Sequence, residues 1–269
     1  HCYDCMEALN ATLSLLATIL YLATAGAIAR SLARREAPNR ALSLSLMVTA
    51  LIAHGILLHN NLVHAHGLQL GFYSIAILHA WLIALLAVLV NAYRPVQGIF
   101  LVAAPLAAIE LFVGSLGQTS TPVTLSAGIQ MHVLLSILAY SLLSIAALQA
   151  ILVGLQDAAL RQHKRQLLLA LPALQTMERM LFELIGIGFI LLTAAIASGA
   201  WVLDDPLAQQ VAHKTVFTVL AWLLFATLLI GRHWRGWRGK TAMRVTLSGF
   251  ALLLLGFIGS KFVLELILN

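Results

Sequence analysis

Ten histidines in a chain that is 61% hydrophobic are its most chemically pointed residues. His54 falls about six residues inside one end of an apolar run, roughly 9 Å deep at the helical rise. A neutral imidazole at that depth is costly if its N–H is unpaired, so it must face other helices. Its partner is then either a ligand held between helices or a neighbouring carbonyl or Glu110. His132 opens another apolar run, where it reads as a second ligand or as an interfacial, helix-end histidine. His79 lies near the middle of a run and is a candidate by position alone, and His213 directly precedes Lys214 and a further run. The segment HGILLHNNLVHAH (54–66) packs four imidazoles closely, which suits zinc or copper. A spacing of five, however, rotates residues by about 140° net on a helix, so His54 and His59 do not share a face. His64 and His66 read as solvated loop residues.

Other reactive groups are sparse. Cys2 and Cys5 form a CxxC, a spacing shared by redox dithiols, halves of metal sites and incidental pairs. Met6 follows in place of a histidine, so this is not a haem attachment sequence. Glu110 must be protonated, paired or turned to a polar cavity, whereas Glu183 reads as an interfacial carboxylate beside Arg179. There is no nucleophile–base pair, phosphate loop or carboxylate pair, and an enzyme is not expected.

The elements that must position these residues are membrane helices. Charged residues are 10% of the chain and mean hydropathy is +0.95, values of an integral membrane protein. Eight apolar runs read 11–29, 41–60, 70–92, 97–114, 129–155, 181–202, 214–231 and 245–267. Most are long enough to cross a hydrocarbon core of about 30 Å as a helix. Every Lys and Arg except Lys214 and Lys261 falls after the first, third, fifth or seventh run, which places those segments in the cytoplasm. The sequence therefore predicts an all-α integral membrane protein, a bundle of eight transmembrane helices, N-out and C-out. It reads as a single polytopic domain over 1–269, with no cleaved signal peptide visible. The net charge of +6 is topogenic and meets anionic lipid headgroups; it does not point to nucleic acid. In this frame His1, His54, His59, His64, His66, His132 and His213 belong to the outer half, and His163 and His233 to the cytoplasm. An amphipathic surface helix, interrupted at Pro172, is expected over 155–180, and irregular outer loops over 114–127 and 201–213.

Four strings in the second half carry a resemblance. They are MHVLLSILAYSLLSIAAL (131–148), MERMLFELIGIGFILLTAAIASGAW (177–201), HKTVFTVLAWLLFATLLIGRHWRGWRGKTA (213–242) and GFALLLLGFIGSKFVL (249–264). Over about 130–265 the chain resembles the CcsA-type cytochrome c assembly family, with its CcmC-like and HemX-like members, and in particular the short YpjD-like branch. The matching points are His132 with Tyr140, Gly188 to Trp201, Lys214 with Trp222, and GWRG at 236–239. The first 130 residues match in having similar spans and a histidine in the second.

The resemblance implies haem handling in the bacterial inner membrane, with haem b presented outside for attachment to apocytochrome c. It also implies contact with other cytochrome c assembly proteins. By matching position, His132 looks like the first outer ligand of the iron and His54 like the first ligand within the bundle. Trp201 and the 201–213 loop take the place of the family's Trp-rich loop, with Lys214 at hand for a propionate. The chain departs from the pattern in three places. WVLDDPLAQQVAHK stands where the family has a WGxxWxWDPK-like run, Ile230 stands at the second bundle histidine, and the second outer histidine is absent. His79, His213 or His59 would then complete the ligand set. Two other readings use the same residues: a histidine-based transition-metal transporter or tolerance protein, and an accessory membrane subunit that has lost haem.

Overall fold

The computed structural model describes residues 2–64, 67–68, 72–115, 126–162, 171–202 and 212–262. Eight helices account for nearly all of them: α1 (Cys2–Ala33), α2 (Arg40–Leu62), α3 (Phe72–Tyr93), α4 (Gly98–Ser115), α5 (Ala127–Arg161), α6 (Leu174–Val202), α7 (Ala212–Arg235) and α8 (Gly239–Phe262). Among the described residues, the first seven are long and apolar enough to cross a membrane, and α8 is not counted with them. The expected all-helical architecture holds apart from one feature. Val63–His64 (β1) and Gly67–Leu68 (β2) pair as a minimal antiparallel hairpin after α2.

The chain divides into two compact units. Residues 1–125 and 159–172 form the first, and residues 126–158 and 173–269 the second. In the first, α1 packs on α2 and α4, and α3 packs on α4 and α2. Where lipid is as apolar as the side chains, helices associate by close packing, which small residues permit. Accordingly α4 turns inward a run of alanines, Ala103, Ala104, Ala107 and Ala108, all buried. At its other end α1 stops in a Schellman motif, with Arg35 in the left-handed region and Glu36 N–H donating to Ser31 O. Two further bonds hold this unit together. Asn60 Nδ2 donates to Asn10 Oδ1 at 2.9 Å between α2 and α1. The Arg40 guanidinium donates to the carbonyl of Asn91 in the last turn of α3, where a cation also suits the helix dipole.

In the second unit α6 and α7 pack together, as do α7 and α8. One expectation is corrected here. Residues 155–161 are not part of a separate surface helix but continue α5, which runs for 35 residues. Nothing in LQDAALR interrupts a helix, so α5 runs on to Arg161, and α6 begins at Leu174, two residues after Pro172. Residues 163–170, with His163, lie outside the described residues, as do 116–125 and 203–211.

Candidate functional site

In the first unit His54 is fully buried on α2. Its Nδ1 lies 3.1 Å from the hydroxyl of Tyr21, itself fully buried on α1, and the two rings meet edge-on with centroids 5.9 Å apart. Neither a lipid-facing nor a snorkelling arrangement applies; this imidazole is held between helices. The Ile77 backbone of α3 also comes close to the ring, and Nε2 is buried and makes no hydrogen bond. Five residues on, His59 is exposed, as the 140° offset requires.

His79 and Glu110 form a second polar pair in the same unit. Nδ1 of His79 on α3 lies 2.9 Å from Oε2 of Glu110 on α4, and both side chains are mostly buried. Of the options open for Glu110, pairing is the one realised, and its partner is His79, not His54. A carboxylate at one ring nitrogen is the usual way an imidazole is oriented when the other nitrogen carries a metal.

His132 stands near the start of α5 in the second unit. Its Nδ1 is 3.0 Å from the carbonyl oxygen of Ala195 and 3.1 Å from the Ser198 hydroxyl, both on α6. A carbonyl only accepts, so Nδ1 carries the proton and donates it, and Nε2 keeps the lone pair of the neutral ring. Ser198 donates its own hydroxyl hydrogen to the same carbonyl at 2.9 Å. The ring fits against α6 because residue 199 is glycine: a Cβ there would stand 2.8 Å from His132 Cε1.

The other residues singled out in the sequence are more dispersed. Trp201 lies in the last turn of α6 at 91% exposure, roughly a third of a turn round the helix from the face that holds His132. Lys214 is half-buried on α7. His213 is in the first turn of that helix, but its side chain lies outside the described residues, as do those of Cys2, Cys5 and His64; His1 and His66 lie outside them altogether. Ile230 is half-exposed on α7 and His233 exposed. Among the described residues no three His, Cys, Asp or Glu side chains gather as a metal cluster.

The family profile of the cytochrome C assembly protein matches residues 8–268. The chain belongs to that family. The match reaches well N-terminal to the motifs around His132 and takes in α2 with His54. "Inner membrane protein YpjD" of Escherichia coli K12 is 26% identical over 94% of this chain and 98% of its own length. An uncharacterised 28.8 kDa protein of Azospirillum brasilense is 32% identical over 52% of this chain and 53% of its own. "Cytochrome c biogenesis protein CcsA" of Gloeobacter violaceus is 27% identical over 34% of this chain and 28% of its own length. No solved structure matches. With seven helices of spanning length, this cytochrome c assembly family member is a multi-pass protein of the inner membrane.

Several family-type strings now have a physical reason. The GWRG turn between α7 and α8 is held from α6: Glu178, buried, accepts the N–H of Gly239 at 2.8 Å. Gly236 and Gly239 both adopt positive φ there, and Arg232 donates to the Trp237 carbonyl while lying over the Phe182 ring. In the same unit Trp222 stacks on Phe189 and donates its indole N–H to Thr193.

Sequence reasoning missed Tyr21, Ala195, Ser198, Gly199 and Glu178. Tyr21 left a usable signal, a phenol amid the apolar run of α1 whose hydroxyl needs a partner when buried. Ala195 acts through its backbone and leaves no side-chain signal.

Proposed function

We propose that this chain holds haem b near the outer face of the inner membrane, with Nε2 of His54 and Nε2 of His132 each serving as an axial nitrogen. The observation that carries the proposal is Nε2 of His54, buried and without a hydrogen bond. A buried polar atom left unmade costs about 1–3 kcal/mol, which coordination to a metal would offset. His132 supports the same reading from the second unit, since its Nδ1–H is anchored on Ala195 and its lone pair is left on Nε2.

The donor set fits haem better than a bare ion. Zinc or copper needs three or four protein ligands brought together. Haem supplies an iron already held by four porphyrin nitrogens, so that single imidazoles from separate helices suffice. Trp201 then offers an exposed aromatic face and Lys214 a cation for a propionate, with His79 and His213 as further candidate ligands. In this reading the chain is one polytopic domain of eight spans, N-out and C-out, with α8 as the eighth. Its partners are membrane lipids together with apocytochrome c or other cytochrome c assembly proteins. It moves or holds its cofactor without covalent change to itself.

The absorption spectrum of the purified protein tests this. A Soret band with b-type features is expected. A colourless preparation with stoichiometric zinc or copper would replace the haem reading with metal transport, and one with neither would leave an accessory subunit.

A further inference from the structure

We infer that Tyr21 is the positioning residue of His54: its hydroxyl serves Nδ1 in both tautomers, so that Nε2 can take up and give back an iron. The inference rests on the haem reading above. It starts from a contrast between the two histidines. Nδ1 of His132 faces the Ala195 carbonyl, which accepts and never donates, and the nearby Ser198 hydroxyl gives its own hydrogen to that carbonyl, so Nδ1 holds the proton there. Nδ1 of His54 faces a hydroxyl, which does either.

Two hydrogen-bond arrangements follow for the buried pair. With Nε2 protonated, Tyr21 donates its hydroxyl hydrogen to Nδ1 and the buried Nε2–H makes no hydrogen bond. With an iron at Nε2, the proton must sit on Nδ1, and the same hydroxyl rotates to accept it. The neutral ring loses one N–H and gains one, the phenol keeps its hydrogen, and no net charge enters the membrane interior. A carboxylate or carbonyl in Tyr21's place would favour the ligating tautomer alone, and an apolar side chain would support neither. Tyr21 is fully buried, so water does not take over this role.

An imidazole whose Nδ1–H is accepted is a more basic ligand, and removing such an outer partner commonly weakens a metal site 10- to 100-fold. The test compares purified, haem-loaded wild type with Tyr21→Phe, His54→Met and the double variant, following haem loss to an apo-globin acceptor and the midpoint potential. Y21F is expected to lose haem on the order of 10-fold faster or more and to shift the potential upward, because a less basic ligand favours ferrous iron. In the H54M background, where no Nδ1–H exists, adding Y21F is expected to change neither quantity. If H54M loses haem rapidly while Y21F behaves as wild type, the Tyr21 role fails and the haem reading stands. An equal effect of Y21F in both backgrounds reduces Tyr21 to packing and overturns the inference. If wild type binds no haem, or H54M leaves release and potential unchanged, the assignment of His54 fails first and takes this one with it.

Discussion

A Cβ at residue 199 would stand 2.8 Å from Cε1 of His132, so Gly199 is what lets that imidazole reach the Ala195 carbonyl. Two positions more than sixty residues apart in the chain are thus matched, a ring on α5 and a missing side chain on α6. The match decides which ring nitrogen holds the proton.

Gly199→Ala is therefore expected to lower haem content markedly, because the added methyl pushes the ring off its anchor. Overpacking of this kind costs about 1–3 kcal/mol, so thermal unfolding should fall modestly in parallel. Ser198→Ala is expected to be milder, since the Ala195 carbonyl still accepts the Nδ1 proton. Pyridine haemochrome quantification on the purified variants checks both.

Glu110→Ala removes the carboxylate that Nδ1 of His79 meets at 2.9 Å in a mostly buried position. A loss of about 1–3 kcal/mol in stability is expected, with Glu110→Gln much closer to wild type because the amide oxygen still accepts. Unfolding in detergent, followed by circular dichroism, measures the difference. Equal stability of all three would mean that the pair contributes nothing.

At the other end of the second unit, Glu178→Ala removes the acceptor from the first N–H of α8. The loss of such a cap costs about 0.5–2 kcal/mol. Limited proteolysis should reveal faster cutting at the α7–α8 turn, and Glu178→Gln should restore resistance.

The distribution of Lys and Arg makes the orientation testable residue by residue. Reporter tags inserted near positions 36, 95, 165 and 240 are expected to report cytoplasm, and tags near 66, 120 and 208 the outer side. One inverted loop would change the number of spans and the depth assigned to each histidine.

Much of the scaffold was legible because helix-forming apolar runs and their boundaries depend on local chemistry. α6 begins two residues after Pro172, and the spacing of five separates buried His54 from exposed His59. The partners of the histidines were not legible in the same way. Glu110 was visible as an intramembrane acid, but its pairing with His79 depends on how α3 and α4 cross. Tyr21 meets His54 across 33 residues of sequence, and Ala195 contributes a carbonyl that every residue possesses. The continuation of α5 through residue 161 was obscured by polar side chains that suggested a surface helix, although they form an uninterrupted helix with the span before them.

The central claim is that His54 and His132 each give an axial nitrogen to haem. It is tested most directly by haem content and Soret position in wild type, His54→Ala, His132→Ala and, as the cytoplasmic control, His163→Ala, all purified side by side. The account predicts reduced haem or a shifted Soret band in the first two variants and a wild-type spectrum in the third. Unchanged haem content and spectrum in both His54→Ala and His132→Ala would contradict it.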